Sequence, residues 1–305
     1  MARQRHRGRP VNGILLLDKP SGMSSNGALQ VAKRLFGAAK AGHTGSLDPL
    51  ATGMLPICFG EATKFSQFLL DADKSYRVTG KLGVTTTTGD AEGEVIETHP
   101  VDATAAEIEA ALLSFVGEIE QVPSMYSALK HQGQPLYKLA RQGIEVERKP
   151  RQVTIHAIRV LALRADEVDF EVDCSKGTYV RSLVEDLGAK LGCGGHVTAL
   201  HRISAGSYPT ERMLTLDQLG ELKENGGFEA LDAVLLPEST AVGDWPQVQL
   251  TDNAAFYLLQ GQAVMVAERP ASGQVALFRS SDQRFLGVGE VNDDGMIAPR
   301  RLVAN

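Results

Sequence analysis

The chain has 305 residues, 43% hydrophobic and 22% charged, with a formal net charge of -6; this is the profile of a globular protein with room for about two domains and a sizeable core. Its three cysteines, Cys58, Cys174 and Cys193, are far apart and odd in number, which argues against a disulfide framework or a cysteine zinc site and predicts buried thiols. The amino-terminal RQRHRGRP leads only to the short apolar run ILLL, neither a signal-peptide core nor a membrane span, so a cytoplasmic protein is expected.

In chain order, residues 11–17 predict a strand, and SGMSSN supplies the turn before a helix over 26–36 with Leu29, Ala32, Leu35 and Phe36 on its inner face. A loop then runs into a buried strand near 54–59, and EATKFSQFLLDAD reads as a short helix. Over residues 75–85, Tyr76, Val78, Leu82 and Val84 recur at period two, the pattern of a strand with one buried face. TTTTGDAEG closes it with a turn. Thr104 and Glu107 have capping-box spacing, opening a helix whose Ile108, Leu112, Phe115 and Val116 face inward and which Gly117 ends.

Residues 123–150 contain few long apolar runs, and Pro135 at N1 with Gly143 at C′ suggests an inserted helix on loops. Residues 152–163 and 167–174 predict paired strands. TYVRSLVEDLGAKLG follows with Val180, Leu183, Val184, Leu187 and Leu191 at helical spacing. HVTALHRISAG predicts a strand alternating at Val197, Ala199, His201 and Ile203, and Thr215 with Gln218 forms a second capping box. PESTAVGDWPQ, residues 237–247, reads as a linker; beyond it one helix near 252–260 and four strand-like runs predict a small β-rich domain.

The acidic total conceals an uneven distribution. Residues 1–10 carry Arg3, Arg5, Arg7 and Arg9 without an acid, a local +4; residues 124–152 carry six bases against Glu145 and Glu147, again +4, so the remainder sums to -14. Positive charge concentrated in this way suits a phosphate backbone, and equally a solvated tail and a solvated helix face.

No P-loop, G-x-G-x-x-G after a strand, H-E-x-x-H or G-x-S-x-G occurs, which removes most nucleotide, metal and acyl-transfer chemistries. In AGHTGSLDPLATGMLPICFG, residues 41–60, only His43 and Asp48 would ionise near neutral pH. Asp before Pro is ordinary turn chemistry, Tyr76 on an alternating strand is an ordinary core aromatic, and Arg181 in KGTYVRSL could simply pair with Glu185 one turn on. The competing reading is a site. A carboxylate in a poorly hydrated pocket keeps its charge only beside a cation, for which arginine is the natural choice, and once held ionised it can stabilise or attack an electron-deficient sugar carbon.

GSLDPLATGMLPI, with VNGILLLDKPSGMSS before it and KSYRV and KGTYVRSL after it, closely resembles the TruB family of tRNA pseudouridine synthases over residues 11–204. Ser46 departs from the Thr expected in many relatives. LTDNAAFYLLQGQAV and the strands around it resemble the PUA-type RNA-binding domain of bacterial members. The resemblance implies an α+β (mixed α/β) fold with a central antiparallel sheet flanked by helices, a disordered basic tail at 1–10, a catalytic domain at 11–236 with an inserted RNA-binding arm at 124–152, and a PUA-like domain at 248–305. It also implies isomerisation of uridine 55 in the T loop of tRNA without cofactor or metal and without an obligatory protein partner; oligomeric state is not readable in the sequence, and a monomer is the default expectation. Carried onto these residues, Asp48 would be the nucleophile, Arg181 its ion-pair partner, and Tyr76 a platform for the flipped base that also helps remove the C5 proton. His43 would fill space vacated in the T loop, and Tyr179 and Leu200 would line the uracil site. Lys19, Lys64, Lys130, Arg141 and Lys149 are candidates for the RNA backbone. Attack at C1′, attack at C6 and a glycal route all remain open, as does a non-catalytic RNA-folding protein or a synthase for guide-selected RNA.

Overall fold

The computed structural model describes residues 8–303. Arg3, Arg5 and Arg7 of the expected tail lie outside the described residues, whereas Arg9 is fastened down: it donates to the Phe36 carbonyl at 3.3 Å, pairs with Asp232 and lies over the Phe228 ring.

Strand β1 (Gly13–Lys19) leads to helix α1 (Ser25–Leu35), whose N-cap Ser24 hydroxyl accepts from the Gly27 N–H. Strands β2 (Ala41–His43) and β3 (Thr52–Phe59) follow, then a 3-10 turn and helix α2 (Ser66–Asp71), two pieces where one short helix was expected. Strand β4 (Lys74–Leu82) ends at Gly83, where φ is 83°, and β5 (Val84–Thr86) turns away to form a separate hairpin with β6 (Val95–Thr98). The expected single strand over 75–85 is therefore broken. Helix α3 (Ala105–Leu113) opens on both halves of the Thr104–Glu107 capping box; Phe115 packs on the core, but Val116, beyond the helix end, is exposed.

Strand β7 (Gly117–Gln121) enters the arm, which contains the two-residue pair β8 (Lys130–His131) and β9 (Gln134–Pro135) and the short helix α4 (Leu136–Ala140). Pro135 is the N-cap of α4, one residue earlier than expected. Strands β10 (Arg151–Arg164) and β11 (Glu167–Cys174), helix α5 (Val180–Lys190), strand β12 (Gly195–Ala205) and helix α6 (Leu216–Ala233) complete the body. Helix α6 starts at the Thr215–Gln218 capping box and bends at Gly227. The terminal lobe is a four-stranded sheet of β13 (Gln247–Leu250), β14 (Gly273–Arg279), β15 (Phe285–Val291) and β16 (Ile297–Leu302), with helix α7 (Asp252–Leu259) against it.

The body sheet runs β1-β3-β12-β4-β11-β10-β7, with β2 beside β3. Every junction is antiparallel except β3 with β12, which pair in parallel through His201–Thr52 and Arg202–Gly53. The centre is thus a mixed sheet rather than an antiparallel one. Gly53 is required at this join, since its φ is 95° and a Cβ would lie 2.3 Å from the Arg202 carbonyl oxygen.

The ILLL run is buried on both faces of the sheet, which explains its unbroken apolar character. Leu15 and Leu17 join a core with residues of α1, α3, α5 and α6, whereas Ile14 and Leu16 join a second cluster containing Met54, Cys58, Phe65 and Leu69 together with Ala276 and Val288 of the terminal lobe. Ala241 and Val242 of the expected linker are buried in that second cluster, so 237–247 is a packed connection. All three cysteines are free and buried. Among the described residues no helix is long and apolar enough to cross a membrane.

Candidate active site

Between β2 and β3 the chain forms a short irregular loop held by the buried Ser25, whose hydroxyl donates to the Leu47 carbonyl at 3.0 Å and accepts from the Leu47 N–H at 2.7 Å. Asp48 follows on that loop and faces a cavity of about 270 Å³, whose walls include Tyr76 of β4, Tyr179 and Arg181 at the start of α5, and Leu200 and Arg202 of β12. A space of this size accepts one nucleobase with part of its sugar.

The Asp48 carboxylate lies 3.0 Å from Arg181 Nε. Its side chain is 38% open, but open to the cavity, with protein crowding it elsewhere; this desolvation raises its pKa above the ordinary range, with Arg181 opposing the rise and Asp90 adding to it. Arg181 is almost fully buried. Its Nη1 donates to the Thr88 carbonyl at 2.6 Å and stands 3.4 Å from the buried Asp90 carboxylate, and its Nη2 donates to the Tyr126 carbonyl at 2.7 Å. One guanidinium therefore ties the Asp48 loop, the β5–β6 turn and the base of the arm together. Glu185, the partner expected if Arg181 were an ordinary helix residue, is not the group it pairs with. Asp90 is itself fixed by the Thr88 hydroxyl at 2.5 Å and the Glu92 N–H at 3.1 Å.

Tyr76 projects from the buried face of β4, and burial raises its phenol pKa, with Arg202 opposing. Tyr179 is the N-cap of α5; its N–H donates to Gln121 Oε1 at 3.0 Å and its carbonyl accepts from Gln121 Nε2 at 3.2 Å, a two-way clamp by a buried amide. Leu200 lies on the wall as expected, but the strand's parity differs from the expected one. A bulge between Val197 and Ala199 in the β12–β4 pairing swaps the faces, so the buried positions are Val197, Leu200 and Arg202 while Ala199 is exposed.

His43 ends β2 outside the cavity wall; burial and Arg202 lower its pKa, and its buried Nδ1 has no hydrogen-bond partner among the described residues. Lys19 cannot meet an RNA phosphate in this structure. It is fully buried, with its ammonium donating to the carbonyls of Pro20 at 2.7 Å, Met23 at 2.6 Å and Pro49 at 3.3 Å, and burial lowers its pKa to about 8. Its stem and charge hold the turn after β1 to the Asp48 loop. Lys64 is half-buried and already engaged, by Glu61 at 2.7 Å and the Leu302 carbonyl at 2.9 Å, which makes it a tie between body and terminal lobe. Lys130, Arg141 and Lys149 are exposed on the arm.

Asp90, Gln121 and Arg202 were not anticipated. Asp90 sits in a turn where Gly-Asp is ordinary, and nothing local marks its long-range contact. Arg202 carried a signal, a cation two residues after Leu200 and so on the same strand face, obscured by the bulge. Among the described residues no group of three or more His, Cys, Asp or Glu side chains is placed to hold a metal ion.

A carboxylate paired with a buried arginine, on a cavity walled by two tyrosines, defines a candidate active site on a mixed-sheet body with a small β-rich lobe. Residues 33–180 match the family described as TruB family pseudouridylate synthase (N-terminal domain), 181–243 the tRNA pseudouridylate synthase B C-terminal domain, and 246–303 the Pseudouridine synthase II TruB C-terminal domain. The sequence is 57% identical to tRNA pseudouridine synthase B of Ectopseudomonas mendocina (strain ymp), over 99% of both chains. It is 55% identical to the protein of that name from Serratia proteamaculans (strain 568), over 99% of this chain and 98% of the relative. Among solved structures, one titled as a Cbf5-Nop10-Gar1 complex superposes with a TM-score of 0.71 at 27% identity, covering 95% of this chain and 84% of the other. The chain belongs to the TruB family of pseudouridine synthases, which makes it an isomerase.

Proposed function

We propose that the protein converts uridine 55 in the T loop of tRNA to pseudouridine, in the cytoplasm and without a protein partner, with Asp48 as nucleophile on a flipped-out nucleotide. The observation that carries this reading is the Asp48–Arg181 contact of 3.0 Å at the cavity wall, because it keeps an otherwise desolvated carboxylate charged where a sugar carbon would lie. The base must leave its stack to reach the cavity, and Tyr76, Tyr179 and Leu200 offer it aromatic and apolar faces in exchange. The conversion balances without a co-reactant: the N1–C1′ bond breaks, the base turns, a C5–C1′ bond forms, C5 loses its proton to solvent and N1 gains one. The names of the relatives at 55 to 57% identity support the substrate.

The first test uses a T-arm stem-loop tritiated at uridine C5, incubated with wild type and Asp48→Asn in the presence of a chelator. Wild type should release label into water and the Asn variant should not, although its RNA affinity stays within a few fold. A variant that releases label at the wild-type rate would remove Asp48 from the chemistry. Tight binding without release by wild type would favour a protein that helps RNA fold.

The arm is the proposed contact for the RNA backbone. Lys130, Arg141 and Lys149 are exposed and pair with no carboxylate among the described residues, and Arg141 lies over the Tyr137 ring. Arg148, by contrast, is used within the arm, on the Pro123 carbonyl and Glu145. Neutralising the three exposed cations should weaken binding and lower the salt slope by about 1 for each phosphate that no longer meets a positive charge. Measured by fluorescence anisotropy between low and physiological salt, an unchanged slope would take the arm off the RNA.

A further inference from the structure

Arg202 is 1% exposed, lies on the cavity wall, and no carboxylate pairs with it among the described residues. A guanidinium buried without a counter-charge is costly unless its N–H groups are used, and an apolar side chain would fill the same space at lower cost. Its donors point two ways. Nε donates to the Met54 carbonyl of β3 at 2.6 Å and Nη2 to the Gly45 carbonyl at 3.3 Å, on the loop that carries Asp48. The register of β12 on β4 sets Arg202 directly opposite Tyr76, and both side chains line the same cavity.

We propose that Arg202 is a positioning residue that sets Tyr76 and Asp48 against the same nucleotide: it fastens the phenol oxygen to the guanidinium that also fixes the Asp48 loop. With a donor directed at the phenol oxygen, the phenol's own O–H is left to face the cavity, where the edge of a bound uracil would lie. This role rests on the uridine chemistry proposed above. It separates two duties among the buried arginines: Arg181 neutralises the nucleophile, and Arg202 orients the aromatic that faces it.

The test is a double-mutant cycle on the T-arm stem-loop with Arg202→Lys and Arg202→Gln, each in the wild-type and Tyr76→Phe backgrounds. Single-turnover rate, KM and thermal midpoint are followed. Alone, each Arg202 variant should lose at least about thirtyfold in rate with KM within about threefold, Lys losing less than Gln. In the Tyr76→Phe background the same substitutions should cost less than about threefold, because the hydroxyl they act through is gone. Equal losses in both backgrounds would make Arg202 an independent strut, and a rise in KM alone would make it an RNA contact; either overturns the proposal, as does loss of fold in both variants. If Tyr76→Phe has no measurable rate, the rate-against-KM split and the Lys-over-Gln ranking of the single variants decide. Absence of reaction by wild type would sink the uridine chemistry and this role with it, whereas a cycle without coupling in an active enzyme sinks only the role of Arg202.

Discussion

Arg181→Met should lower kcat/KM on T-arm RNA by more than about a hundredfold at pH 7 and move the acid limb of the pH profile upward. Two carboxylates lean on this guanidinium, Asp48 at 3.0 Å and Asp90 at 3.4 Å, and the Asp48 pKa is already raised by burial while Arg181 holds it down. Removing the cation removes the lowering influence and leaves Asp90 to raise the pKa further. The Asp48 carboxyl of the variant then ionises at higher pH than that of the wild type, so the variant's deficit should shrink as pH rises. Asp90, 5% exposed, also loses its cation, which for a buried pair costs about 3–5 kcal/mol of stability. Rate profiles and thermal melts at matched pH check both effects. A parallel profile with the acid limb unmoved would show that Arg181 does not set the charge of Asp48.

Phe65→Ala should cost about 3–5 kcal/mol and lower Tm by on the order of 10 °C, with body and terminal lobe still melting together. Phe65 is fully buried, its ring centroid is 5.2 Å from that of Phe285 in β15 and 6.4 Å from that of Phe68, and the cluster it joins takes residues from both parts of the chain. Truncation leaves a cavity that neither side can fill alone. Differential scanning calorimetry would show one transition shifted downward. If the terminal lobe melts separately while the body keeps its wild-type midpoint, the cluster does not couple them.

Local signals carried much of this architecture. The capping boxes at Thr104 and Thr215, the period-two run from Tyr76 to Leu82 and the apolar run of β1 each encode their element within a few residues, and each is present in the structure. What failed depended on non-local geometry. The bulge after Val197 reverses the faces of β12 and is imposed by its pairing with β4, so simple alternation put Val197, Ala199, His201 and Ile203 on one face, whereas Val197 shares its buried side with Leu200 and Arg202. The parallel join of β3 and β12 rests on two residue pairs far apart in sequence. Lys19 resembles a surface cation because carbonyls that satisfy an ammonium have no side-chain signature. Among the site residues, the family resemblance pointed to Asp48, Tyr76, Tyr179, Arg181 and Leu200, and all five meet at one cavity. His43 does not reach its wall, and Asp90 and Arg202 emerged only when the strands were laid side by side.

The arm is anchored at both feet. Gln121 of β7 is clamped to Tyr179, Tyr126 is held by Arg181, and at the far end Arg151 of β10 pairs back onto Gln121. Closing a span of about 29 residues in a flexible chain costs about 3 kcal/mol in entropy, by the logarithmic dependence on loop length. Here the sheet meets that cost when the protein folds, before any ligand arrives. Under the proposed role of the arm, a strand of nucleic acid settling on it would have only the residual freedom of a strap to restrict, not that of an open flap, and more of its contact energy would be left for holding a nucleotide out of its stack.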